Sequence, residues 1–261
     1  MRFEDQYLRL VRRLLDSGDP RQTRNAVTLS AFNESIYFDL TVEFPLLTTR
    51  KIFYDGVLGE LAAFVRGPKH LDDFKKWGCN YWGPWANEDG SIDIDYGNKW
   101  IDWRGYNQLE ALVQGLKEDP NGRRHMMTSW APENVLGDRL SLPCCHHTYQ
   151  FYVRRGFLDM HWIQRSTDVM IGLPSDAVLA AAMTMSLAKE VGLMPGEVMM
   201  TLGDTHIYAL HMLEARELLE RKQRNPPRAR YTGSGLTDFD PTKLRVDSYN
   251  PNESLKFEVI A

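Results

Sequence analysis

Cysteine is scarce: the 261 residues include three, Cys79, Cys144 and Cys145. An odd count with two adjacent suits a reduced, cytoplasmic protein (the host cytoplasm, if the chain is virus-encoded) better than a disulfide-stapled scaffold. Positive charge is not in excess either. The 31 Lys and Arg against 35 Asp and Glu leave a formal charge of -4. No global field therefore draws the chain to nucleic acid or to an anionic membrane, and any phosphate must be held by a local basic cluster. Long hydrophobic runs are missing: the longest, Ala177 to Met183, falls far short of the roughly 20 residues needed to cross a bilayer. The charged start Met1-Arg2-Phe3-Glu4-Asp5 does not read as a secretory signal. Internal repeats, low-complexity tracts and linkers are lacking, so residues 1–261 are expected to form one domain with a substantial core.

What is present reads as alternating elements. Phe3 to Leu15 has the pattern of an amphipathic helix. Ile36, Phe38, Leu40 and Val42 alternate as in a half-buried strand. Val57, Leu61, Phe64 and Val65 keep helical spacing until Gly67-Pro68 stops them. Another helix is expected over Asn107 to Leu116, followed by a turn at Asp119-Pro120-Asn121-Gly122. Thr148 to Val153 and Phe157 to Gln164 form a strand pair around Arg154-Arg155-Gly156. Val178 to Val191 is a long, buried, Ala/Met-rich helix, and Arg221 to Pro227 a surface loop. Helices and strands mix without regular βαβ alternation, which points to the α+β class.

The strand pair carries chemistry. Its register places residue 145 opposite residue 165, so Cys145 and Arg165 become neighbours. A free thiol, with a pKa of about 8.5, is only a few per cent ionised at neutral pH, and a guanidinium beside it raises that share. The alternative is a buried structural cysteine. Glu60 shares a helical face with Val57, Leu61 and Phe64, so its carboxyl should be buried and its pKa raised unless an ion pair compensates it. Cys144, Cys145, His146 and His147 do not make a zinc site, because sequence neighbours rarely converge on one ion; no metal is expected. A cysteine phosphatase is excluded, since the position where its loop needs arginine holds Gln150 or Phe151.

Several segments together resemble one family, the thymidylate synthases. Leu142-Pro143-Cys144-Cys145-His146 with Gln150-Phe151-Tyr152-Val153 resembles their nucleophile segment. Gln164-Arg165-Ser166-Thr167-Asp168 with Gly172-Leu173-Pro174 resembles their nucleotide-binding segment, and Gly203-Asp204-Thr205-His206-Ile207-Tyr208 their sugar-binding segment. Phe44-Pro45-Leu46-Leu47-Thr48-Thr49, the Glu60 helix, Trp82 with Trp85, Tyr96-Gly97 and Arg123-Arg124 add to the set, in family order. The resemblance implies a single catalytic domain of three-layer α/β fold, with a mixed sheet forming the interface of an obligate homodimer. It implies 5,10-methylenetetrahydrofolate as one-carbon donor and a pyrimidine deoxynucleotide monophosphate as acceptor. It further implies Cys145 as nucleophile, with Glu60, Tyr96 and Asp168 in the catalytic set. The nucleotide would be held by Arg24, Gln164, Arg165, Ser166, His206 and Tyr208, with Arg123 and Arg124 reaching in from the partner subunit. The folate would be held by Arg50, Trp82, Trp85, Asp168, Gly172 and Ala261. Guanidinium forks match phosphate oxygens, although Arg123-Arg124 also reads as a solvated charge pair and His206 with Tyr208 as satisfied core residues.

Departures from the family pattern carry the specificity. Where it has Phe-Asn after Gly-Leu-Pro, with the Asn reading the uracil edge, this chain has Ser175-Asp176. A carboxylate accepts from the cytosine amino group, and a proton on either partner adds a second bond to N3; against uracil O4 an ionised Asp176 has no proton to share. The alternative is a helix N-cap, just before the helix expected at Val178. The Asp variant resembles the deoxycytidylate hydroxymethylases of some bacterial viruses. Asn25-Ala26-Val27-Thr28 replaces a Gly/Thr-rich loop after Arg24, and Leu202 and Leu210 replace a glycine and an asparagine. The expected activity is dCMP hydroxymethylation. Its alternatives are dCMP methylation yielding dihydrofolate, then dUMP methylation, and, from another class, a nucleotide-binding protein without activity.

Overall fold

The computed structural model describes residues 1–136 and 140–260. The first helix, α1 (Phe3–Ser17), buries Phe3, Tyr7, Leu10, Val11, Leu14 and Leu15 on one face, the stripe expected of 3.6-residue periodicity. Two strands follow, β1 (Asp19–Gln22) and β2 (Val27–Asp39), then α2 (Tyr54–Phe64), α3 (Leu71–Lys75), α4 (Asn98–Ile101) and α5 (Gln108–Glu118). The chain continues through β3 (Met126–Thr128), α6 (Pro132–Val135), β4 (His146–Arg154) and β5 (Phe157–Asp168). It ends with α7 (Gly172–Glu190), β6 (Met194–Tyr208), α8 (Met212–Glu220), β7 (Arg228–Tyr231) and β8 (Leu244–Asp247).

Six strands make one mixed sheet in the order β1-β2-β6-β5-β4-β3, and β7 pairs with β8 separately. Most neighbours are antiparallel, but β5 and β6 run parallel and are joined by α7. This helix is buried on nearly every side, from Leu173 through Ala188, because it lies between β5 and β6 on one side and α2 on the other. Sheet, α1 with α7, and α2 form three layers around a contiguous core. The β4–β5 turn has Arg155 at φ 53 and Gly156 at φ 85. Two successive positive φ values are what a two-residue hairpin needs to match strand twist.

Three sequence expectations change. Leu40 and Val42 lie outside β2, because Asp39 Oδ1 accepts from Thr41 N and Oγ1 (2.8 and 2.7 Å) and turns the chain there. Helix α7 begins at Gly172, six residues before the expected Val178, since Pro174 sits in a first turn whose N–H groups lack intrahelical acceptors anyway. The fold also contains a βαβ unit, β5–α7–β6, which the apparent lack of alternation concealed. Strand β6 was hidden by Pro195, Gly196 and Gly203, each of which reads as a breaker.

Gly203 is required by close approach. A Cβ there would stand 2.5 Å from the backbone oxygen of Arg165 on β5. Gly203→Ala must push β5 and β6 apart beside the site, and is expected to destabilise the protein by roughly 2–4 kcal/mol, read as a lowered midpoint in chemical denaturation with an unchanged slope.

Candidate active site

The parallel strands β5 and β6 end side by side, and the crevice beyond such strand ends is where α/β sheets place ligands. Ser166 pairs with Asp204, and Asp168 with His206; α7 then carries Asp176 back over the same end. Cys145 immediately precedes β4, and the Arg165 N–H donates to its carbonyl at 2.9 Å. The thiol is half-buried. The Arg165 guanidinium is turned onto the chain around it, donating from Nε to the Cys144 carbonyl (2.8 Å) and from Nη2 to the Pro143 carbonyl (3.1 Å). Cys145 N donates to the Tyr96 hydroxyl.

The register expectation for Cys145 and Arg165 therefore matches the strand pairing, and Arg165 favours the thiolate as expected, but burial outweighs it. Burial raises the Cys145 thiol above the ordinary cysteine value; Arg165 pulls it down, Asp176 pushes it up, and burial prevails. Loss of water costs the thiolate more than a guanidinium committed to two carbonyls returns.

Two half-buried carboxyls face the same space. Glu60, on α2, accepts from Trp82 Nε1 at 2.8 Å. Burial, then repulsion from Asp176, pushes Glu60 up to about 8. Asp176 accepts from Gln164 Nε2 at 2.7 Å. Burial raises Asp176 to about 7; the Gln164 bond lowers it and Asp168 raises it. Because α7 starts at Gly172, Asp176 lies inside the helix and cannot be its N-cap; Ser175 Oγ bonds back to the Ile171 carbonyl at 3.2 Å. The Oε1 of Gln164 is buried and has no hydrogen-bond partner among the described residues.

The remaining expected residues are placed as follows. Asp168 Oδ1 accepts from Met170 N and Ile171 N (2.8 and 3.3 Å), shaping the turn into α7. Gly172 is open enough for a Cβ, whose nearest neighbours would be Asp176 Oδ2 at 3.7 Å and Asp168 Cβ at 3.8 Å. Trp82 and Trp85 meet edge to face, with ring centres 5.5 Å apart. Buried Arg50 donates to the Met170 carbonyl and lies over the Phe257 ring of the tail, 4.9 Å from its centre. His206 Nδ1 and Asp204 Oδ1 are 2.9 Å apart, and Tyr208 stands edge to face with the His206 ring at 5.0 Å. Ala261 lies outside the described residues.

Arg24 is exposed in the β1–β2 turn and, like Arg123 and Arg124, forms no ion pair among the described residues. Arg123 and Arg124 line a hollow of about 510 Å³ before β3, at the sheet edge. The structure instead brings Arg21 to the site's rim, where it pairs with Asp204 Oδ2 at 2.8 Å. That arginine escaped sequence reasoning, since Arg24 matched the family position. His146 is a second omission. Its ring lies 4.4 Å from both Tyr96 and Trp162, Nδ1 meets the Tyr149 hydroxyl at 2.6 Å, and burial holds it neutral, far below the usual histidine range. Among the described residues no three His, Cys, Asp or Glu converge to hold a metal ion, and no helix is long and apolar enough to cross a membrane.

Comparison with known proteins gives two findings. The family profile described as thymidylate synthase matches residues 5–261. A thymidylate synthase from Corynebacterium aurimucosum is 34% identical over 264 residues, covering 98% of each chain.

Burial of the thiol makes a checkable statement about reactivity. Alkylation of Cys145 by iodoacetamide, followed by mass spectrometry across a pH series, is expected to rise with a midpoint above that of a free cysteine at about 8.5. Arg165→Gln should shift that midpoint further upward and slow labelling at neutral pH several-fold. An unshifted midpoint in the variant would remove Arg165 from the thiol's environment.

Proposed function

Because the chain belongs to the thymidylate synthase family, we propose that it carries a one-carbon unit from 5,10-methylenetetrahydrofolate to C5 of deoxycytidylate, finishing as 5-hydroxymethyl-dCMP. The family uses this folate as cosubstrate and a pyrimidine nucleotide as acceptor. The choice of cytosine rests on one observation: an aspartate, Asp176, with a proton affinity near neutrality, aimed into the site beside Gln164.

The argument concerns one proton. A protonated carboxyl offers one donor and one acceptor, which suits either cytosine or uracil. Once Asp176 ionises the two bases part. Cytosine N3 is a far stronger base than uracil O4, so a dCMP complex keeps a proton between ring and carboxylate as pH rises. A dUMP complex loses it and leaves O4 facing a charged oxygen. A buried mismatch of this kind costs about 1–3 kcal/mol, more when charged.

The chemistry then follows from the groups present. Cys145 adds to C6 and makes C5 a carbon nucleophile, which forms a bond to the folate methylene. The C5 proton leaves to a base assisted by Glu60 and Tyr96. Tetrahydrofolate departs, and water adds to the exocyclic methylene as the C6–sulfur bond breaks. Glu60, at about 8, is matched to moving protons near neutral pH, which supports the water ending. The folate face would be formed by Trp82 and Trp85, by Asp168, whose Oδ1 alone is spent on the backbone among the described residues, and by Arg50. His206 and Tyr208 would hold the sugar. Arg165, Ser166 and Arg21 or Arg24 would hold the phosphate, with Arg123 and Arg124 of a second copy. That copy would sit on the sheet face where Met126, Tyr152 and Met199 are exposed, opposite the buried Met127, Phe151 and Met200. Methylation of dUMP is the second reading, favoured by the name of the 34% identical relative.

Incubation with methylenetetrahydrofolate and dCMP or dUMP, read by product mass and dihydrofolate absorbance, decides between these. The expected result is a hydroxymethyl product from dCMP without dihydrofolate; a methyl product with equimolar dihydrofolate moves the ending, and turnover of dUMP alone overturns the Asp176 reading. Asp176→Asn should shift the dCMP/dUMP ratio of kcat/KM toward dUMP by about a hundredfold or more. In the unaltered protein the same ratio should rise from about pH 6 to about pH 8, across the Asp176 value of about 7, because only the dUMP complex loses its proton there. A flat ratio would mean that Asp176 does not touch the base.

A further inference from the structure

Behind the site lies a buried acid that forms no ion pair among the described residues. Glu4, in the first turn of α1, is 6% exposed. Its Oε1 accepts from Thr48 N (2.7 Å), Thr49 N (2.7 Å) and Thr49 Oγ1 (2.8 Å), and its Oε2 accepts from Thr48 Oγ1 at 2.6 Å. All four partners are donors, so a carboxylate matches the site and an amide would not. The fastening is reciprocal, since Glu43 Oε1 accepts from Phe3 N at 2.6 Å.

The clasped loop has several outward attachments. Thr48 Oγ1 also accepts from Arg224 N, and the Thr48 carbonyl accepts from Asn252 N and Nδ2, each at 2.8 Å. The Tyr249 hydroxyl donates to the Leu47 carbonyl (2.9 Å) and accepts from Ile52 N (2.8 Å). The next residue, Arg50, holds the Met170 carbonyl and the tail's Phe257. The Met170 N–H is in turn held by Asp168, and the Tyr7 hydroxyl of α1 reaches Met170 Sδ at 3.9 Å. One short loop thus joins α1, the turn at Asp168 and the C-terminal tail.

We infer that Glu4 is a positioning residue: its carboxylate sets the backbone of Thr48 and Thr49, and through Arg50 the placement of the Asp168–Met170 turn and of tail residues 249–257. Its effect on turnover rests on the reading of Arg50 and Asp168 as folate contacts, whereas its effect on the loop and tail does not. Glu4→Gln keeps the shape but turns an N–H₂ toward groups that are already donors. Thr49→Val removes a single donor and is the milder variant.

Hydrogen exchange by mass spectrometry on the whole chain is the deciding measurement. Both variants should exchange about tenfold faster in peptides covering residues 47–52, 168–171 and 249–257, with the sheet unchanged. The KM for methylenetetrahydrofolate should rise about tenfold while that for the nucleotide stays within about twofold. Unchanged exchange in those segments, or equal acceleration everywhere in both variants, overturns the inference. Absence of folate turnover in the unaltered protein would overturn the functional reading and leave the exchange result standing.

Discussion

Two carboxyl groups, Glu60 and Asp176, are both driven toward their neutral forms by burial, with Asp176 also repelling Glu60, and the local design follows from that constraint. Each is brought in by a helix, α2 or α7, and among the described residues each accepts from a neutral donor, Trp82 or Gln164, and neither forms an ion pair. A lysine or arginine in either place would fix the carboxylates as charges. Neutral donors leave their protons exchangeable near pH 7, where small differences between substrates can decide which state forms. The same proximity forbids reading either group alone, since repulsion from Asp176 is part of what raises Glu60.

The scaffold meets that constraint with a parallel strand pair inside a sheet that is otherwise antiparallel. Parallel β5 and β6 end together, so Arg165, Ser166 and Asp168 from one strand stand beside Asp204 and His206 from the other. Helix α7, covered on both sides, has no solvent face to keep polar; its composition is accordingly almost continuous Ala, Leu and Met. Its opening turn is the exception, and that is where Asp176 enters the site. Gly203 lets the two strands approach at the level of Arg165.

Legibility of the sequence followed locality. The β4–β5 hairpin could be read because alternation and an Arg-Gly turn both report on neighbours within a few residues, and from it the pairing of residues 145 and 165 followed. Strand β6 could not, because its Pro195, Gly196 and Gly203 answer to strand contacts made across the sheet and not to their own segment. The start of α7 was obscured by Pro174, which local rules read as a stop and which the first turn accommodates. Individual site residues were recognisable as motif positions, but the state of the thiol was not. Spacing reports that Arg165 is adjacent; it does not report that the guanidinium is bonded to two carbonyls or how much water the fold removes. Arg21 was missed for a related reason, since its ion pair with Asp204 is made between β1 and β6, strands far apart in sequence.

Burial acts on five groups of the site in the same sense. It raises Cys145, Tyr96, Glu60 and Asp176 and lowers His146, so each is driven toward its neutral form. Neutral groups are inexpensive to bury, but under the proposed function a thiolate addition would not start until something compensates the charge. Under the proposed function an arriving nucleotide would supply that compensation unevenly. Its phosphate would draw on Arg165 and so weaken the cation's help to the thiol, while its base would take or give a proton at Asp176 and so relieve the repulsion felt by both Cys145 and Glu60. Recognition of the base would then be coupled to activation of the nucleophile through one proton, and a base that cannot hold that proton would lose more than a hydrogen bond. On that proposal discrimination would belong in the rate of covalent addition as much as in binding, with Asp176 governing both.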